Sequence, residues 1–277
     1  MVIKMEKQEL LKKFAKQEEK LLISKVWDKL KFANMKNQIQ TTYFLDSYEQ
    51  NTVTKMLNLC KEKQYILDGG YEEAQRKILF LYPDKLQELF EGKREQNKVV
   101  IDTIKVISIM LPEELQGSFH HAQYLGGLMK LGIKREIIGD IIVNEKGADI
   151  LVLNDMVDYL QTQLKELTRF QKSEITVKEL TNLNILPVQK EEMIILIPQM
   201  RLDVVVSEIL HLSRSKANEL ISSERVFVNY ELKTKNATML KQQDVLTIRG
   251  KGKYEIGEIV SQTAKGKLRL QVQKYIS

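Results

Sequence analysis

The stretch from Arg201 to Lys253 decides how this chain folds, and two of its parts carry the reading: RLDVVVSEILHLSRSKANELISSERVFVNY (residues 201–230) and VLTIRGKGK (residues 245–253). Apolar side chains at Leu202, Val205, Val206, Ile209 and Leu210 recur at helical spacing along one face. Ser213 stands where a second helix begins, because a hydroxyl ahead of Arg214-Ser215-Lys216 can accept from the free amides of a first turn. Two short helices meeting at a tight turn put Arg214 and Lys216 beside those amides. Cations and N–H groups aimed the same way suit a phosphate.

The remainder of the stretch reads as strands. Residues 226–230 form one short β run and residues 245–248 another, joined by a polar segment that carries Lys233 and Lys235. Arg249, Lys251 and Lys253 follow, separated by Gly250 and Gly252, which let a backbone approach a ligand closely. The expected result is one cationic track running from the second helix to the end of the last strand.

In order, R-L-D, S-R-S-K-A, V-x-V-N and D-x-[IVL]-x-[IVL]-R-G resemble the S4 RNA-binding domain, an αL-fold module of a small-subunit ribosomal protein, pseudouridine synthases, tyrosyl-tRNA synthetases and a heat-shock ribosome-binding protein. By that resemblance Arg201, Ser213, Arg214, Ser215, Lys216, Asn229, Lys233 and Arg249 touch or order structured RNA, and Lys235, Lys251 and Lys253 extend the track. The structural alternative is that Arg201 and Asp203 pair with neighbours and Ser213 serves only as a cap.

Charge agrees with that placement. The 277 residues carry a net +6 with a pI near 9.1. Residues 201–277 hold fourteen Lys and Arg against eight Asp and Glu, whereas the first 200 hold 29 of each, so the whole excess sits in the last part of the chain. Such a local field concentrates polyanions and makes binding salt-dependent. A single cysteine, Cys60, excludes an internal disulfide and a thiolate metal cluster and fits a reducing cytoplasm. No apolar run is long enough to insert in a membrane.

The length suits two or three domains. Residues 5–38 read as helices rich in Lys, Glu and Gln, with Leu10, Phe14, Val26, Trp27 and Leu30 on an apolar stripe and the lysines on a solvated face. Trp27 reads as core. Asp46-Ser47 caps a further helix, and Asp68-Gly69-Gly70-Tyr71 is a dividing turn. Residues 78–82 read as a buried strand, 85–90 as a short helix stopped at Gly92, and 99–101 and 106–110 as further strands. Residues 119–131 form a helix whose Gly126-Gly127 pair implies close packing against another backbone. A hairpin through Lys146-Gly147, a helix from Asp155 and a last strand and turn over 175–183 complete this section. Pro187 and Pro198 bracket a linker, and residues 254–272 form a hairpin.

LGGLMKLGIKREIIGDIIV upstream of an S4 module resembles the bacterial YlmH family. The likeness spans essentially the whole chain and implies an α+β architecture: an N-terminal helical domain (1–70), an RRM-like middle domain (71–185), a linker (186–198) and an S4 domain with its hairpin (199–277). The run Phe119-His120-His121-Ala122-Gln123 departs from the family's T-H-R-D, losing an Arg and an Asp. The middle section also lacks the aromatic-rich strand with which RNA-recognition motifs stack bases.

Catalytic signatures are missing. Arg201-Leu202-Asp203 has the letters of a pseudouridine-synthase motif, but Val204-Val205-Val206 follows where that motif needs a Thr-Ser-Gly turn, and neither Asp140 nor Asp149 has a matching context. There is no Walker A loop, dinucleotide fingerprint or nucleophile elbow. His120 and His121 are adjacent, which is wrong for a shared metal, and His211 ends a helix. The expectation is a non-catalytic, cytoplasmic, monomeric RNA-binding factor without cofactor or metal. The resemblance implies that its partners are the ribosome, large-subunit rRNA and P-site tRNA, where it steadies peptidyl-tRNA while stalled chains receive an alanine tail. An S4-containing RNA-modifying enzyme and a cell-division interaction protein are the alternatives.

Overall fold

The computed structural model describes residues 6–87, 90, 93–183, 190–229 and 231–276. The chain forms two compact units, Met1–Ile185 and Leu186–Ser277.

The first unit opens with α1 (Lys7–Leu11) and α2 (Gln17–Lys36), followed by β1 (Gln40–Leu45), α3 (Ser47–Leu59), β2 (Tyr65–Asp68) and β3 (Lys77–Leu81). The Asp46 carboxylate accepts from Glu49 N at 2.9 Å while the Glu49 carboxylate accepts from Asp46 N at 2.8 Å, a capping box that starts α3. Trp27, Leu30, Val53 and Met56 form one core in which Cys60 is also buried, so the aromatic is core as expected. The sequence predicts helices alone before the Asp68 turn. Instead β1, β3 and β2 form an antiparallel sheet in that order, with the turn between its strands. The run Ile78-Leu79-Phe80-Leu81 is apolar on both sides because β3 is covered on both: Leu79 and Leu81 meet the helices, and Ile78 and Phe80 face a second layer.

That second layer follows α4 (Lys93–Thr103). Residues 99–101, expected as strand, belong to this helix: the Thr103 hydroxyl donates to Val99 O at 2.8 Å, and Val100 is buried in the layer interface. The apolar run that suggested a strand is the helix's inner side. The 85–90 helix and its Gly92 stop fall partly outside the described residues; Asp84–Leu86 form a 3₁₀ turn.

Then come β4 (Ile104–Met110), α5 (His121–Lys130), β5 (Ile138–Asn144), β6 (Gly147–Leu153), α6 (Val157–Glu166) and β7 (Glu174–Lys178). The strands lie antiparallel in the order β5-β6-β4-β7, so the RRM-like βαββαβ topology is present. Both helices cover one face, against Ile107, Ile109, Ile150 and Val152. Along the opposite face, Ile104, Val106 and Leu151, with Val100 of α4, are buried against Phe44, Ile78 and Phe80 of the first sheet. Gly126-Gly127 differs from expectation in its partner. A Cβ on Gly127 would lie 2.5 Å from the Phe170 ring, so the close neighbour is an aromatic side chain and not a backbone.

The second unit begins with β8 (Lys190–Ile197), continues through α7 (Leu202–Ile209), α8 (Arg214–Ser222), β9 (Val226–Val228), β10 (Glu231–Leu232) and β11 (Val245–Ile248), and ends with β12 (Gly252–Gln262) and β13 (Leu268–Tyr275). Its six-stranded antiparallel sheet runs β10-β9-β11-β12-β13-β8. Residues 190–197, expected within a linker, thus form an edge strand paired with β13 along its whole length. The alternation of Ile195 and Ile197, which are buried, with Ile194 and Leu196, which are exposed, is a strand's. Helices α7 and α8 pack on one face through Leu202, Val205, Val206, Ala217 and Ile221 against Leu246, Ile248, Tyr254, Ile256, Leu270 and Val272.

Candidate nucleic-acid interface

The sequence between α7 and α8 folds as a tight αL corner. His211 adopts φ 50° just beyond α7, and Leu212 N bonds Ser207 O at 2.9 Å, closing the helix. Ser213 then caps α8, its hydroxyl accepting from Lys216 N at 3.3 Å. The exposed residues Arg214, Ser215 and Lys216 form the first turn of α8.

Asp203 organises this corner. Its carboxylate is 1% exposed and accepts from Arg201 Nε at 3.0 Å, Arg201 Nη2 at 3.1 Å and Arg214 Nη2 at 2.5 Å. Burial alone pushes the Asp203 carboxyl up, but the hydrogen bonds and charges of Arg201 and Arg214 outweigh it and hold the group below its ordinary value. Arg201 and Arg214 remain 30% and 58% exposed. Arginine carries five N–H donors, and Arg214 commits one of them to Asp203. A buried anion therefore fixes two outward-facing guanidiniums.

The polar segment after β10 runs past this corner. Leu202 N bonds Thr238 O, Asp203 N bonds Asn236 O, and Arg201 bridges Met239. That brings the exposed Lys235 region alongside α7. Lys233 is tied down differently: its ammonium pairs with Glu231 at 2.7 Å, and its N–H bonds Val226 O. Asn229 holds the fold. At φ 48° its Nδ2 donates to Asp244 at 2.7 Å and its Oδ1 accepts from Val245 N at 2.8 Å, so both ends of the amide are engaged within the protein.

The expected single track divides in two. Arg249 lies beside Arg225, just beyond the far end of α8, where its N–H bonds Arg225 O and its guanidinium covers the Phe227 ring at 4.8 Å. Arg225, which sequence reading passed over, donates back to Arg249 O at 2.9 Å. Lys251 is exposed in the following turn. Lys253 pairs with Thr247 in register, one residue from the core-facing Tyr254, and so projects from the sheet face opposite α7 and α8; its ammonium lies 4.5 Å from the Tyr275 ring. The sheet separates it from Arg201 and Arg214.

Polar groups in the first unit have structural work. Asp140 accepts from Tyr71 Oη at 2.8 Å, Gln75 N at 2.6 Å and Arg76 N at 3.1 Å, anchoring the β2–β3 turn to β5. Burial and that carboxylate push the Tyr71 hydroxyl up, and burial brings Arg135 down to about 10. Burial and Arg135 lower His121. Asp149 pairs with Lys178 at 3.3 Å. Among the described residues no group of three or more His, Cys, Asp or Glu is placed to hold a metal ion, and no helix is long and apolar enough to cross a membrane.

Comparison with known proteins agrees with both halves of this geometry. Residues 102–183, which contain the β4–β7 sheet, match the family model described as "Putative RNA-binding domain in YlmH", and residues 200–246, which contain the αL corner, match the S4 domain. The chain is 26% identical over 261 residues to "Ribosome-associated protein quality control protein P2" of Bacillus subtilis (strain 168), covering 94% of this chain and 96% of that protein. It is also similar to the solved structure of "Cell division protein ylmH from Streptococcus pneumoniae", with 17% identity, a TM-score of 0.48, and coverage of 61% of this chain and 95% of that one. The chain thus carries a stretch similar to the YlmH RNA-binding domain ahead of a stretch similar to the S4 domain.

Proposed function

We propose that this protein is a non-catalytic ribosome-associated factor that docks structured RNA through the αL corner of its second unit. The observation that carries the reading is the Asp203 clamp: a buried carboxylate holds Arg201 and Arg214 in fixed, outward-facing positions beside the amide-rich start of α8. Preset guanidiniums lose less freedom on meeting a phosphate and can bind it through two N–H groups at once. Lys216 adds charge, and Lys235 extends the contact along the neighbouring segment.

The name of the Bacillus relative, together with its end-to-end similarity, supports a ribosome-associated role in protein quality control. In this reading the RNA is large-subunit rRNA next to a P-site tRNA, and the protein steadies peptidyl-tRNA while an alanine tail is added. Its contribution is positional, and no residue of the corner acts on a bond.

Sedimentation with ribosomal subunits at low and moderate salt tests this. The native protein should travel with the large subunit, and Arg214→Ala/Lys216→Ala should stay at the top of the gradient. Native protein at the top under both conditions would refute ribosome docking.

A further inference from the structure

We propose that the helix-free face of the second unit's sheet is a second RNA-contact surface, one that takes an unpaired strand. The inference rests on the reading that this unit binds RNA, and adds a site on the opposite side of the sheet from the αL corner.

Strand alternation defines the face. Because Tyr254, Leu270, Val272 and Ile195 point toward α7 and α8, the residues between them in register point away. On that outer side lie the cations Lys190, Arg249, Lys253 and Arg269 and the carboxylates Glu192 and Glu255, with Glu258 exposed in the bulge opposite Gln271. Two aromatic rings lie on this side, Tyr275 half-buried and Phe227 buried at 9% exposure beneath Arg249. The Tyr275 ring is flanked by Lys253 at 4.5 Å and Lys190 at 4.8 Å, and the Phe227 ring by Arg249 at 4.8 Å. Glu255 fixes the first group, accepting from Lys190 Nζ at 2.8 Å and from Tyr275 Oη at 3.0 Å. Ile194 and Leu196, 56% and 39% exposed, leave apolar surface on the same side.

A half-exposed ring set among cations on an open sheet suits a single strand: a base can stack on Tyr275, and the neighbouring phosphates meet positive charge. A duplex hides its bases and cannot use the ring. The αL corner shows the reverse design, with fixed guanidiniums and no exposed ring in its first helical turn. Most of the outer face is built by β8, β12 and β13, which lie outside residues 200–246, so it is an addition to the S4 module.

The full chain, native or as Tyr275→Ala/Lys253→Ala, is titrated with a labelled oligouridine and with a stable RNA hairpin. The variant should bind oligouridine about ten-fold more weakly and the hairpin as the native protein does, with Tyr275→Phe retaining native affinity for both. An oligouridine carrying 4-thiouridine should crosslink to peptides of β12 or β13. Unchanged oligouridine binding by the variant, or crosslinks confined to α7 and α8, would overturn the second surface while Arg214→Ala/Lys216→Ala still reports on the first. Native protein that binds neither RNA overturns the parent reading and this one with it.

Discussion

Asp203 and Arg214 lie 2.5 Å apart, yet the carboxylate is 1% exposed and the arginine side chain 58%. One partner belongs to the interior and the other to the surface, so the pair converts core rigidity into the direction of an exposed cation. Asp203→Asn keeps the shape and removes the charge. It should lower unfolding free energy by about 1–3 kcal/mol and weaken RNA binding, although every cation remains in place. Chemical denaturation and filter binding on one preparation would check both.

The pH dependence of that pair has a definite sign. A carboxyl held below its ordinary value in the folded state contributes stability that is complete above the unfolded pKa and lost as pH falls through the folded one. The stability difference between native protein and Asp203→Asn should be constant near neutrality and shrink once pH drops below about 4. Equilibrium unfolding across an acid series measures it. A gap that widened on acidification would contradict the clamp.

Gly127 sits where a methyl group would meet the Phe170 ring at 2.5 Å. Gly127→Ala should destabilise the first unit by about 1–3 kcal/mol through overpacking. Adding Phe170→Leu should return part of that loss, which thermal melts of the single and double variants would reveal.

Tyr124 is fully buried, stacks near Phe170, and its hydroxyl has no hydrogen-bond partner among the described residues. Burial pushes that hydroxyl up to about 12. Removing an unsatisfied polar atom without changing the ring should help, so Tyr124→Phe should be neutral or raise stability by about 1 kcal/mol. A fall in melting temperature would mean that the hydroxyl is satisfied after all.

How much of this was legible in the sequence follows from how local each signal is. The αL corner was, because Ser213, the α7 stripe and the short strands are signals within a few residues of one another. The partners of the site residues were not. Nothing adjacent to Asn229 announces Asp244, and nothing near Lys253 announces Tyr275, since strand pairing makes both contacts. The same limit hid the first sheet, whose β1 is a short run before a strong helix start, and it turned β8 into a linker because two prolines frame it. Residues 99–101 misled in the other direction: a β-branched run satisfied its burial as the inner side of α4. The missing stacking aromatics of the middle domain were visible early, but their reason was not. The outer side of that sheet supports Phe44, Ile78 and Phe80, and so serves as core.

The pairing of β8 with β13 also has a consequence in time. Every residue of β8 finds its ladder partner in β13, made 71 (Ile197 to Leu268) to 85 (Lys190 to Tyr275) residues later. At roughly 5–20 residues per second, the strand waits about 4 to 17 s during synthesis with its ladder hydrogen bonds to β13 unmade. Its sheet can be completed only once β13 has emerged, a long-range closure of the kind that slows folding.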